Sequence, residues 1–70
     1  NAARERLRRE HDETELETSA SDTFRRLRLE MLATERATYI AERDGGRLDD
    51  QVLRVLLHGL DLEEATLNLE

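Results

Sequence analysis

Between Asp22 and Asp44 apolar residues return at helical spacing. Phe24, Leu27 and Met31 share one face in the first half, while Leu29, Leu32, Ala33, Tyr39 and Ile40 cluster on a neighbouring face in the second. This pattern predicts a helix over residues 22–44. Its apolar stripe drifts round the axis, so more than one partner element is expected to touch it. Gly45-Gly46 then stops the pattern, since Gly reaches positive φ without a Cβ clash and serves helix C-termini. Asp49 restarts it as an N-cap, with Leu48 and Leu53 spaced for a hydrophobic staple. Val52, Leu53, Leu56, Leu60 and Leu67 form one stripe of a second helix over 49–67, interrupted by Glu63. So few residues join the two helices that an antiparallel hairpin is expected.

Upstream the pattern thins. In residues 1–17 only Ala3, Leu7 and His11 recur at helical spacing, and Arg precedes the acids, against the helix dipole. A frayed or partner-dependent lead-in helix is the expectation there. Residues 18–22, Thr-Ser-Ala-Ser-Asp, read as a break, with Ser21 or Asp22 capping the next helix. The chain thus divides into a charged lead-in over 1–21 and a hairpin over 22–70. Gly59 costs the last helix about 1 kcal/mol relative to Ala. Asp61 and Glu64 have capping-box spacing, but continuity or a mild kink at His58-Gly59 is the preferred reading.

Composition sharpens this all-α picture. Seventy residues, 40% of them charged and 3% aromatic, give at most one small domain with a thin core. No Cys and no Pro occur. Disulfides and thiolate metal sites are therefore ruled out, and helix meets no proline. Completion of the core by self-association, as a homo-oligomer such as a dimer, is expected. The chain begins at Asn1 rather than Met, as a piece of a longer protein would.

The formal net charge of −6 is uneven. Residues 1–17 carry four Arg and six acids, residues 22–47 six Arg and five acids, and residues 48–70 one Arg and six acids. The two hairpin helices should attract each other. The acidic second helix, whose only base is Arg54, argues against nucleic acid as a partner. Arg25, Arg26 and Arg28 should meet Asp61, Glu63 and Glu64 in an antiparallel hairpin. Surface pairs of this kind contribute about 0–1 kcal/mol each, and the same charges could instead dock another chain.

No catalytic constellation is present: there is no thiol, Ser19 and Ser21 lie in the expected cap, and His11 and His58 are far apart. The segment Asp44 to Asp50 lacks the alternating oxygen donors, sixth-position Gly and twelfth-position Glu of a calcium loop. Neither enzyme activity nor a cofactor is expected. His58, beside Gly59 and near Asp61, is the one candidate pH-sensitive group, since His changes charge near neutrality. Apolar runs fall well short of the ~20 residues that span a bilayer, so this piece is not expected to insert directly.

One resemblance gives these features a context. Leu27-Arg28, Glu35-Arg36, Asp44-Gly45-Gly46-Arg47-Leu48, Asp50-Gln51-Val52-Leu53 and Leu60-Asp61-Leu62-Glu63-Glu64-Ala65 stand in the order found near the end of bacterial sodium/proton antiporters. Residues 24–67 therefore resemble the cytoplasmic C-terminal tail of the first monovalent cation:proton antiporter family. Leu57-His58-Gly59 departs from the charged run usual there, and Asn68-Leu69-Glu70 extends past the usual end. The resemblance implies a tail on the cytoplasmic face of the cell membrane. It implies roles in subunit association and regulation, with the membrane part of the same antiporter as partner. Transport residues belong to that membrane part, and none carries over. The competing reading is a free-standing, coiled-coil-like interaction module. For it, Leu53, Leu56, Leu60 and Leu67 fit a and d positions, but Glu63 occupies a d position.

Overall fold

The computed structural model describes residues 1–69. Two helices make up the fold: α1, Ala2–Asp44, and α2, Asp50–Asn68. They pack as an antiparallel hairpin at one end of a rod whose Cα extents are 68 × 17 × 10 Å. At 1.5 Å per residue α1 is about 64 Å long and α2 about 28 Å. The first half of α1 therefore projects beyond the end of α2 as a single helix.

The predicted break at residues 18–22 is absent, and α1 runs through it. The hydroxyls that favour a cap are used otherwise. Thr14 Oγ1 donates to the Glu10 carbonyl at 2.9 Å, and Thr18 Oγ1 to the Thr14 carbonyl at 3.0 Å. Each satisfies its own hydroxyl on the preceding turn and leaves the backbone ladder intact. Asp22 pairs with Arg25 one turn on, at 3.5 Å, instead of capping. Neither Ser21 nor Asp22 starts a helix. The lead-in is likewise helical from Ala2, where the Asn1 side chain accepts from the Ala3 N–H at 2.9 Å. With no Gly or Pro before residue 45, nothing in the sequence forces an interruption.

The turn is built as the sequence predicts. Gly46 is the one positive-φ residue among those described, at φ 75°. Its N–H donates to the Arg43 carbonyl at 3.0 Å, and the Arg47 N–H to the Glu42 carbonyl at 2.9 Å. These two bonds make a Schellman ending with Gly46 in the left-handed position. The hydrophobic contact that commonly accompanies this ending is replaced by an ion pair, Arg47 Nε to Glu42 at 2.6 Å. Asp49 caps α2 by accepting from the Gln51 N–H at 2.9 Å. Leu48 before it is half-buried and Leu53 after it is buried.

The core is a single line of leucines. Leu32 of α1, 1% exposed, packs with Leu60 and Leu67 of α2, and Leu29, Tyr39 and Leu57 close round them. Leu53 is buried nearer the turn. α2 is continuous through His58-Gly59. A Cβ built on Gly59 would meet nothing within 4 Å, so the glycine is not needed by the hairpin.

Candidate functional site

Heptad letters describe the hairpin well, because two long-packed helices keep a 3.5-residue repeat along their seam. The a positions are Arg25, Leu32 and Tyr39 in α1 and Leu53, Leu60 and Leu67 in α2; all are buried or half-buried. Glu63, which interrupts the leucine stripe, falls at d beside this seam. Arg28 sits at a d position of α1 and meets it there, its Nε donating to Glu63 at 2.7 Å. Arg28 also lies 3.7 Å from Glu35. The interruption of the apolar pattern is therefore half of an interhelical ion pair.

On the other flank, at e, Arg36 forks between two acids of α2. Its Nη1 donates to Asp61 at 2.8 Å and its Nη2 to Glu64 at 2.9 Å. The hydrogen bond to Asp61 raises the Arg36 guanidinium above its ordinary value, against some desolvation, with both carboxylates adding attraction. Nearer the turn Arg43 reaches Asp44 at 2.9 Å and Asp50 at 3.5 Å, and it is raised chiefly by the Asp44 hydrogen bond. Arg47 is raised by its hydrogen bond to Glu42.

The sequence-predicted charge cluster is thus only partly assembled. Asp61, Glu63 and Glu64 all pair across the hairpin, but of the three bases assigned to them only Arg28 reaches α2. Arg25 pairs with Asp22, and Arg26 with Glu30 at 3.5 Å, both within α1. Arg36 takes their place. An arginine one turn from the buried Leu32 was the available signal, since antiparallel packing opposes it to the acids that follow Leu60.

The candidate packing residues divide in the same way. Leu53, Leu60 and Leu67 are core and Leu56 is half-buried, whereas Phe24, Leu27, Met31 and Val52 are exposed. The last four, candidates for packing or association, lie outside the hairpin core. They fall at g and c positions, about 100–150° round their helices from the seam. Val55 and Leu62 of α2, and Leu69 at its C-cap, occupy c positions as well and are also exposed. Viewed from each helix's own N-terminus, both lines lie to the same side of the seam. Because the helices are antiparallel, this places them on one broad side of the hairpin. The opposite side carries Arg36, Arg43, Arg54, Asp50, Asp61 and Glu64. The first side is the more apolar of the two, although the d-position charges Arg28, Glu35, Glu42 and Glu63 run along its middle between the two lines.

A scan against protein-family models finds no match, and searches of the curated proteins and of the solved structures find none either.

His58 is exposed on α2, one position from Gly59. A shallow trough lined by Thr14, Thr18, Asp22, Arg25 and Leu29 runs along α1 from its projecting part to the edge of the core at Leu29. Among the described residues no group of three or more His, Cys, Asp or Glu could hold a metal ion. No helix among them is long and apolar enough to cross a membrane.

Proposed function

We propose that this chain is the cytosolic C-terminal assembly and regulatory domain of a sodium/proton antiporter, without transport chemistry of its own. The observation that carries this reading is the coincidence of the resembling stretch, residues 24–67, with the packed hairpin. Asp44 to Leu48 forms the Schellman turn. Leu60 enters the core while Asp61, Glu63 and Glu64 hold Arg36 and Arg28. Glu35 and Arg36, the second matching pair, belong to that same network. Many of the matching residues thus build the turn and the cross-helix ion pairs, while Leu27, Val52 and Leu62 lie on the outer face. Its partner would be the membrane part of the same antiporter, and its place the cytoplasmic face of the membrane.

The test has two steps. The reading frame upstream of Asn1 should encode about a dozen apolar spans in a window of ~19 residues. The intact transporter should then lose normal subunit assembly, or shift its pH profile in vesicles, when residues 22–70 are deleted. Unchanged assembly and pH profile would overturn the regulatory reading. A start codon close upstream would replace it with a free-standing interaction module.

A further inference from the structure

We infer that the broad apolar side of the hairpin binds a second copy of this chain. The two hairpins pack face to face as a four-helix bundle, about a two-fold axis perpendicular to the helices. The inference deepens the assembly role proposed above but does not depend on the antiporter assignment.

Extent is the first argument. The face is about 28 Å long and two helix diameters, about 20 Å, across. Phe24 is 61% exposed, Val55 72% and Leu62 57%, and Leu27 and Met31 are about half exposed. The two apolar lines flank a middle row of paired charges, Arg28 with Glu35 and Glu63, which a partner would cover together with them; a stable interface takes about 800 Å² from each partner. A footprint of about 28 by 20 Å is about 560 Å² when flat, and the ridged surface of two helices exceeds its flat footprint.

Spacing is the second. On α2 the exposed line reads Val52, Val55, Gly59, Leu62, Thr66 and Leu69, alternating by three and four residues for its whole length. That is the spacing by which one helix receives another. It recurs on α1 in Phe24, Leu27, Met31, Thr34, Thr38 and Ala41. Gly59 lies in this line with open space in front of it, room for a large side chain of a partner.

Shape and charge then choose the partner and its direction. On α1 the large residues Phe24, Leu27 and Met31 occupy the half of the face near the end of α2, and the small ones, Thr34, Thr38 and Ala41, the half near the turn; on α2, Val52 and Val55 lie near the turn and Leu62 near the end. A second copy turned end for end sets Phe24, Leu27 and Met31 against Ala41, Thr38 and Thr34 of the other α1 and brings Leu62 to the level of Gly59. A parallel two-fold would set large against large. In the end-for-end arrangement the projecting part of α1 passes the other copy's turn, bringing Glu17 near Arg47 of that copy. An anionic lipid surface is a poor occupant for a chain of net charge −6.

Sedimentation equilibrium of the 70-residue chain from about 1 to 100 µM brackets the affinities open to such an interface. Twice the 8.2 kDa chain mass is expected. Leu27→Glu and Leu62→Glu should each weaken dimerisation at least tenfold, while Leu16→Glu, exposed but off the face, should leave it unchanged. A spin label at Thr18→Cys should report about 45 Å between copies, from fourteen to fifteen residues of rise on either side of the axis. A chain monomeric across this range, folded or not, overturns the inference. So does a dimer indifferent to both Glu substitutions, or a label distance under about 25 Å, the mark of a parallel two-fold. Failure upstream of Asn1 would remove the antiporter and leave these measurements standing.

Discussion

Arg36 of α1 donates to Asp61 of α2 at 2.8 Å through one nitrogen and to Glu64 through the other. One planar guanidinium thus ties two acids that sit three residues apart on the facing helix. A lysine has a single mobile charge and no fork. Arg36→Lys should lower the thermal midpoint of the hairpin more than Arg26→Ala does, because Arg26 pairs only within its own helix. Circular dichroism at low and high salt would check this, with the gap narrowing in salt as exposed pairs are screened.

The pH dependence of these guanidiniums follows from the direction of their shifts. Arg36, Arg43 and Arg47 are raised in the folded chain. A group raised on folding contributes stability that is fully present below its unfolded pKa and lost as pH rises through the folded one. For arginine both lie in strong alkali. The guanidinium side of the network should therefore be constant from about pH 5 to 9, a range far below the ordinary arginine value. A melting-temperature titration of Arg36→Gln beside the parent should show a constant offset on the arginine's account across that window.

Leu32 is the most enclosed side chain, at 1% exposure, while Phe24 is largely open. Leu32→Ala should cost about 2–5 kcal/mol, the range for emptying a packed leucine site. In a chain this small such a loss can unfold the hairpin. Phe24→Ser should spare the α1–α2 packing and act on association instead. Urea unfolding read beside sedimentation separates the two effects.

At the turn the two glycines should behave differently. Gly46 is at φ 75°, where a Cβ costs about 1–2 kcal/mol. Gly45 is at φ −80° and ψ 1°, open to any residue, and the atoms nearest an added Cβ belong to the Arg47 guanidinium, the far end of a flexible side chain that would have to shift. Gly46→Ala should therefore destabilise clearly and Gly45→Ala little, as read by thermal melting. Asp49→Ala should cost about 0.5–2 kcal/mol through the lost N-cap.

Gly59→Ala offers an opposite sign. Nothing in the hairpin approaches that position, and Ala is favoured over Gly in a helix interior by about 0.8–1 kcal/mol. Under conditions where the chain is monomeric, the substitution should raise the melting temperature.

The sequence by itself determined the two helices, their antiparallel return and the turn between them. Those features depend on local chemistry: apolar spacing along α2, Gly46 at the one left-handed residue, and Asp49 with a free N–H to accept. Its local signals misled at residues 18–22, because Thr18 bonds the preceding turn and Asp22 pairs with Arg25 instead of capping a new one. What only the tertiary structure decided is which apolar line faces the other helix. Phe24, Leu27 and Met31 are as hydrophobic and as regularly spaced as Leu29, Leu32 and Tyr39, and spacing alone cannot rank two adjacent stripes on one cylinder. The second helix ranks them. Packing Leu53, Leu60 and Leu67 against Leu32 also brings Glu63 to Arg28 and both Asp61 and Glu64 to Arg36, so burial and charge are satisfied by one rotation of α1. That rotation leaves the other stripe on the outside, where it forms the broad apolar side of the hairpin.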